Sequence, residues 1–388
     1  MDDTTLWHFA QGNSLLRILI LMSDTGGGHR SAAQAIAAAL RQQEHDAQVS
    51  IVDYLTLSGF PLALLVPGYS VVIHHPALWR LLWHASDTPA FTSLLAGAAG
   101  VLVRRAIRLA VEQAVPDVVV SVHPLATASL TAVLRGGAAR IPAVVVVTDM
   151  VTIHPAWAAP QADAVVVATT EARDSMVSYG VPADRVSVLG LPVDARFALG
   201  GGGKAGIRMQ LGLEAERFTV LLVGGGEGAG GLEEQAVAIV RRLAGRDAQL
   251  LVAAGRNERL RERLARCRWE LPVRVLGFAQ NMPDLMSAAD LLVTKAGPGT
   301  ISEALACGLP MIITSALPGQ ESGNVGYVVS HGAGYQISDS EELAQAVERL
   351  GRPEARDELA ALSVAARKLA RPAAASDIAS LILGLARQ

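Results

Sequence analysis

The chain has 388 residues, 51% of them hydrophobic, and a formal charge of −3, enough for about two buried cores. Its charges are mixed, with no basic tail or stripe, which argues against nucleic acid as a partner. Cys267 and Cys307 form no C-x-x-C, so a disulfide framework and a four-cysteine zinc site are both excluded.

The N-terminal stretch MDDTTLWHFAQGN lacks the basic and apolar regions of an export signal, and no run reaches the ~18 apolar residues of a spanning helix. A cytoplasmic protein is expected. The first strand signal is LLRILILM, followed by SDTGGGHRSAAQAI, a glycine turn running into an alanine-rich helix. The β-branched runs QVSIVDY, DVVVSV, PAVVVVTD, ADAVVVAT and RVSVLG follow, separated by helical patterns. Continuous apolar strands of this kind are buried on both faces, which predicts a parallel sheet. LPVDARFALGGGGKAGIRMQLGL then reads as a linker around Gly200 to Gly203. A second series, RFTVLLVGGG, QLLVAAG, VRVLGF, ADLLVTKAG and LPMIITS, predicts a second doubly wound unit. Beyond Asp339 the chain reads as helical, with Pro353 and Pro372 each opening a helix. The expected organisation is α/β: a first Rossmann-like domain over 1–195, a linker over 196–213, a second over 214–370, and a C-terminal helix over 371–388 that packs back on the first domain.

Glycine turns at the ends of parallel strands suit phosphorylated ligands, because exposed N–H groups and helix N-termini attract anions. TGGGHRS does not match a P-loop and offers no lysine. GEGAGG, Gly226 to Gly231, fits the dinucleotide pattern G-x-G-x-x-G, but the next strand ends at Arg256 and Asn257 where an acid should take the ribose. In the first domain Asp53 is well placed, yet Ser31 stands where the third glycine belongs.

A nucleotide-sugar site between two domains uses more of the motifs. In TKAGPGTISEALACGLPMIITS, the run Gly297, Pro298, Gly299, Thr300 opens a helix that aims N–H groups at a diphosphate, and Glu303 lies one turn in, within reach of ribose hydroxyls. In LPGQESGNVGYVV, Gln320, Glu321 and Asn324 cluster polar atoms suited to a sugar. A histidine, with an ordinary pKa of about 6.5, suits deprotonation of an alcohol. His29 stands on the glycine turn formed with Gly27 and Gly28, where no side chain crowds an acceptor. Asp149, ending PAVVVVTD, is the second candidate, as base or as the group orienting an imidazole. A cap or surface role for His29, a His154 that merely satisfies its loop, a solvated Glu303 at a helix start, Gln320 and Glu321 as loop polar residues and a turn-closing Asp149 are the ordinary alternatives.

The stretches LILMSDTGGGHR, TDMVTIHPAW, LGLPVDARF, VGGGEGAG, GRNERL, TKAGPGTISEAL and GLPMIITSALPGQESGNVGYVV, in this order, resemble the monogalactosyldiacylglycerol synthases. These are relatives of the peptidoglycan N-acetylglucosaminyltransferase. The resemblance implies a GT-B fold, two Rossmann-like doubly wound parallel-sheet domains facing across a cleft. It further implies a UDP-sugar donor, diacylglycerol as acceptor, inversion at the anomeric carbon, and no cofactor or tightly held metal. By the same resemblance Gly225 and Gly226 border the diphosphate, the Gly277-Phe278 backbone receives uracil, Glu303 takes the ribose, Gln320 and Glu321 hold the hexose with Asn324 behind them, and His29 stands beside the acceptor hydroxyl. Trp157 is, by resemblance, a further candidate for lipid contact, and His154 of HPAW is a candidate for lining the cleft.

A lipid acceptor calls for a surface that enters the bilayer interface. In FPLALLVPGYSVVIHHPALWRLLWHASD, residues 60 to 87, Trp79 and Trp83 are four apart among Leu78, Leu82 and Arg80, the pattern of an interfacial helix with an aromatic anchor. Arg104, Arg105 and Arg108 could meet anionic lipid headgroups. A buried helix with a basic edge reads the same way. The expected location is peripheral, on the inner face of the cell membrane, with UDP-hexose (galactose or glucose) and diacylglycerol as partners and no oligomeric state assigned. The competing enzyme transfers N-acetylglucosamine to a polyprenyl-linked peptidoglycan precursor, and a third reading is a silent nucleotide- or lipid-binding protein.

Overall fold

A computed structural model describes residues 15–25, 27–65, 68, 72, 75–86, 100–136, 140–199 and 203–388. The acidic N-terminal stretch, Gly26, part of the 60–87 segment and Gly200 to Gly202 of the linker lie outside the described residues.

Among the described residues, twelve strands build two six-stranded sheets. The first contains β1 (Arg17–Met22), β2 (Gln48–Asp53), β3 (Val118–Ser121), β4 (Ala143–Val146), β5 (Ala164–Val167) and β6 (Val186–Val188), in spatial order 2-1-3-4-5-6. The second contains β7 (Phe218–Val223), β8 (Ala248–Ala253), β9 (Val273–Leu276), β10 (Leu291–Lys295), β11 (Met311–Ser315) and β12 (Gly334–Gln336), in order 12-11-10-7-8-9. Every pairing is parallel, and the central strands β3, β4, β5 and β8 are buried along their whole length. The edge strands β2 and β9 are only partly covered, as expected where one side of a strand has no neighbour. β12, three residues long, has no sequence signal of its own.

The helices are α1 (Gly28–Gln43), α2 (Tyr54–Ser58), α3 (Pro76–Ser86), α4 (Gly100–Ala114), α5 (Pro124–Arg135), α6 (Thr170–Ser178), α7 (Arg196–Leu199) and α8 (Lys204–Gln210) in the first half. Then come α9 (Leu232–Leu243), α10 (Glu258–Arg266), α11 (Met282–Ala288), α12 (Pro298–Cys307), α13 (Ser322–Ser330), α14 (Ser340–Leu350), α15 (Arg356–Leu369) and α16 (Ala374–Ala386).

Helices cover both faces of each sheet. In the first domain, Ile18 and Ile20 pack with Ile36 and Leu40 of α1 on one face, while Leu19 and Leu21 pack with Ile107 of α4 on the other. The last helix, α16, leaves the second domain and lies on α1: Ile378, Ala379, Ile382 and Leu383 join the first domain's core, and Gln43 Nε2 donates to Ser376 O at 2.8 Å. Pro353 opens a short 3-10 turn rather than α15 itself, and Pro372 lies in the break before α16. Among the described residues Pro353–Ala386 is, by length and composition alone, apolar enough to cross a membrane, a stretch the sequence reading passed over; the backbone break divides it into two packed helices. The chain thus passes between the domains twice, after β6 and between α15 and α16. These crossings touch, with Gly190 lying against Arg371 and Ala374.

Candidate active site

In a doubly wound sheet the loops at the carboxyl ends of the strands form the ligand crevice. Here those loops of the two sheets meet. Helix α1 touches α12 across the cleft, Gly323 N donates to Thr152 Oγ1 at 3.2 Å, and Arg256 Nη2 lies 3.6 Å from Asp24 Oδ1.

His29 is the second residue of α1, and the chain reaches it through Gly27, whose φ of 82° is a left-handed conformation that glycine adopts without strain. The imidazole Nδ1 lies 2.8 Å from Val122 O and 2.8 Å from Thr148 Oγ1. A carbonyl only accepts, so Nδ1 carries the proton and Nε2 keeps its lone pair. Burial lowers the pKa to about 4, against the opposing effects of Val122's carbonyl and Asp24's charge, so the ring is neutral at neutral pH. Beside it His123 is buried, its ring 4.6 Å away. His123 Nδ1 accepts from Tyr54 Oη at 2.6 Å and Leu125 N at 3.3 Å, and its Nε2 faces Thr25 Oγ1 at 3.2 Å. That residue is the wall on which His29 rests, and burial holds its pKa well below the ordinary histidine value.

Several of the expected roles change. Asp149 does not orient His29; Thr148 and Val122 do. Its carboxylate is buried and accepts from Trp157 Nε1 at 2.7 Å and Gln320 Nε2 at 3.0 Å, so neither oxygen stands open as a base. Burial pushes its pKa up to about 6, with Gln320, Trp157 and the His154 backbone pulling it back and Glu321 adding to the rise. Trp157 is fully buried and is therefore a core residue rather than a lipid contact. His154 is buried too: Nδ1 accepts from Ala156 N at 3.0 Å and Nε2 meets Ser86 Oγ at 3.1 Å, which fastens α3 to the first domain.

Trp83 packs edge-on to His154 at 4.8 Å and lies against Gly319 of the second domain, where φ is 86° and a Cβ would strike the indole. Trp79 stacks beside it at 6.1 Å. Both tryptophans are half-buried, so the outward face of α3 is formed by Leu78, Arg80 and Leu81 instead.

In the second domain, Gly225 and Gly226 lie in the turn after β7, and Gly226 O accepts from Arg256 N at 2.8 Å. The Arg256 guanidinium bonds Glu227 at 2.9 Å and lies 5.0 Å over the ring of Phe278, which is exposed beside Gly277. Gly297 caps α12 and Pro298 occupies its first turn, leaving the N–H groups of Gly299 and Thr300 without helical partners. Glu303 is half-buried one turn in, and burial, helped by Asp194, pushes its pKa up to about 8.

Lys295 was not singled out from the sequence. It ends β10 between the two glycine turns: a Cβ on Gly225 would lie 3.1 Å from its Cε and one on Gly297 3.4 Å from its Nζ. It forms an ion pair with Glu321, whose second oxygen accepts from Leu317 N at 2.8 Å. Glu321 is thus committed to holding the loop. Gln320 Oε1 and Asn324 Oδ1 are buried without a hydrogen-bond partner, and Asn324 Nδ2 donates to Ala296 O at 2.9 Å. A cavity of about 410 Å³ lined by Lys204, Asp290, Cys307 and Arg367 lies elsewhere and includes none of these residues.

Two parallel six-stranded domains, with a cation and a helix N-terminus on one side of the cleft and a neutral imidazole on the other, define a GT-B glycosyltransferase. Solved structures share the fold: Acinetobacter baumannii MurG, at 19% identity and TM-score 0.60, with 95% of this chain and 99% of that one covered, and the S. aureus MnaA–UDP co-structure, at 13% and 0.64, covering 96% and 98%. Residues 29–193 match the family Monogalactosyldiacylglycerol (MGDG) synthase and residues 219–378 the Glycosyltransferase family 28 C-terminal domain. The monogalactosyldiacylglycerol synthase of Spinacia oleracea is 35% identical over 350 residues, 88% of this chain and 67% of the relative. The probable monogalactosyldiacylglycerol synthase 2 of Oryza sativa subsp. indica is 37% identical over 341 residues, 86% and 73%. The chain belongs to the monogalactosyldiacylglycerol synthase family.

Proposed function

We propose that the protein transfers a hexose, galactose by its family, from a UDP-sugar to the free hydroxyl of diacylglycerol with inversion. His29 Nε2 takes the hydroxyl proton as the oxygen attacks the anomeric carbon and the bond to the diphosphate breaks. One displacement inverts the carbon. The charge left on UDP is met by the first-turn N–H groups of α12 and by Lys295, so fixed protein charges carry the leaving group without a metal or cofactor. Glu303 is the ribose partner and the Gly277-Phe278 segment the uracil partner.

The observation that carries this reading is the 2.8 Å approach of His29 Nδ1 to the Val122 carbonyl, from which the tautomer follows. The Val122 carbonyl holds its proton on Nδ1, so a neutral lone pair stands at the helix that adjoins α12. Phe60, Leu64 and Leu65, with Leu78 and Leu81 of α3, are exposed apolar side chains by which the enzyme would sit peripherally on the inner face of the membrane, with Arg104, Arg105 and Arg108 meeting anionic headgroups. The test is turnover of UDP-galactose, UDP-glucose and UDP-N-acetylglucosamine on vesicles carrying diacylglycerol and, in parallel, on vesicles carrying a polyprenyl-linked peptidoglycan precursor, with the product identified. Galactolipid is expected; selective use of UDP-N-acetylglucosamine on a polyprenyl acceptor would replace this function.

A further inference from the structure

Asp149 receives a hydrogen bond from each domain. Oδ2 accepts from Trp157 of the first domain and Oδ1 from Gln320 of the second. Trp157 is packed among Val145, Val147, Val165 and Met176 and cannot swing, so it fixes the direction of the carboxylate. An ionised carboxylate only accepts, which compels Gln320 to turn its NH2 toward Asp149 and leaves its Oε1 as the atom facing away. That oxygen is buried with no partner, a costly condition that a ligand hydroxyl would relieve. Asn324 repeats the pattern, with its NH2 on Ala296 O and its Oδ1 buried and unpartnered. Neighbouring groups are already engaged: Glu321 with Lys295 and the Leu317 N–H, and His154 with Ser86 and the Ala156 N–H.

We infer that Asp149, on the acceptor-side domain, sets the Gln320 amide so that its oxygen accepts a hydrogen bond from a hydroxyl of the donor hexose. Asp149 is a positioning residue for sugar recognition, and the inference rests on the UDP-hexose reading above. Its consequence is that the donor sugar is fully read only when the two domains meet.

The experiment is calorimetric titration of the full chain with UDP, UDP-galactose and UDP-glucose. Asp149→Asn retains size but puts an NH2 opposite Gln320, which must flip and offer a donor to the hexose. The affinity gained from the hexose, relative to UDP alone, should fall about fivefold to tenfold, the worth of one hydrogen bond, while UDP affinity stays within about twofold. Pairing Asp149→Asn with Gln320→Glu reverses the interdomain hydrogen bond and again leaves an acceptor toward the sugar, so most of the lost affinity should return. Undiminished hexose binding in the single variant, or a double variant no better than the single, overturns the inference. If the unaltered protein binds neither UDP-hexose better than UDP, the donor reading fails and takes the inference with it.

Discussion

Replacing Lys295 by methionine tests the electrostatics of the donor side on two scales at once. Glu321 is 3% exposed and Lys295 19%, so the substitution leaves a nearly dry carboxylate whose remaining hydrogen bond comes from Leu317 N. Removing one partner of a buried pair costs about 3–5 kcal/mol; the part of Lys295 that reaches solvent reduces this to about 2–3 kcal/mol. At ~2–4 °C per kcal/mol for a domain of this size, the melting temperature of the second domain should fall by about 4–12 °C. Lys295→Met with Glu321→Gln removes the stranded charge and should recover most of that loss. Turnover should stay low in both, because neither restores the cation between the Gly225 and Gly297 turns. Differential scanning calorimetry and initial rates on mixed diacylglycerol vesicles read the two effects separately. Unchanged melting in the single variant, or near-normal turnover in the charge-neutral double variant, would show that Lys295 neither balances Glu321 nor serves the diphosphate.

His29→Ala should cut kcat by about 10² or more while leaving UDP affinity nearly unchanged, since the imidazole lies on the domain opposite the proposed nucleotide site; stopped-time assays and calorimetry decide it. With its pKa lowered to about 4, His29 stays a free base from pH 8 down to about 5, so kcat/KM should show no loss attributable to imidazole protonation across that range, and a midpoint near 6.5 would contradict its burial. Asp149, raised from 3.8 to about 6, keeps a proton in the native state that the unfolded chain releases, so native stability falls as pH rises through that window. Asp149→Asn should therefore melt higher at pH 7.5, by roughly 1–3 kcal/mol, with the gain gone below pH 4. Leu78→Glu with Leu81→Glu should weaken vesicle flotation and lipid-dependent turnover without altering UDP binding.

The strands were legible because central parallel strands are apolar on both faces, and VVV runs such as 118–120 and 165–167 have no other plausible use. The start of α12 was legible for a similar reason, since Gly-Pro-Gly-Thr at a helix start is a local feature with a local consequence. What sequence does not reveal is which side chains exhaust one another. Asp149 and Trp157 looked like a base and a lipid contact, yet eight residues apart they spend their polar atoms on each other. His154 is consumed by a backbone N–H and Ser86, a partner 68 positions away. Lys295 went unread although a lone lysine ending an otherwise apolar strand, LLVTK, carries a signal: a charge at the carboxyl end of a buried strand points into the crevice. His123 and Tyr54 gave no such signal, and only the fold brings them under His29.

The contact of Gly190 with Arg371 and Ala374 constrains how the lobes can move. A single tether would let one lobe swivel freely about the other; two strands lashed side by side behave like the pin of a door. Any relative motion of the lobes would turn about that pin, and closure would bring Asp24 to Arg256, Asp149 to Gln320 and α1 to α12 in the alignment seen here.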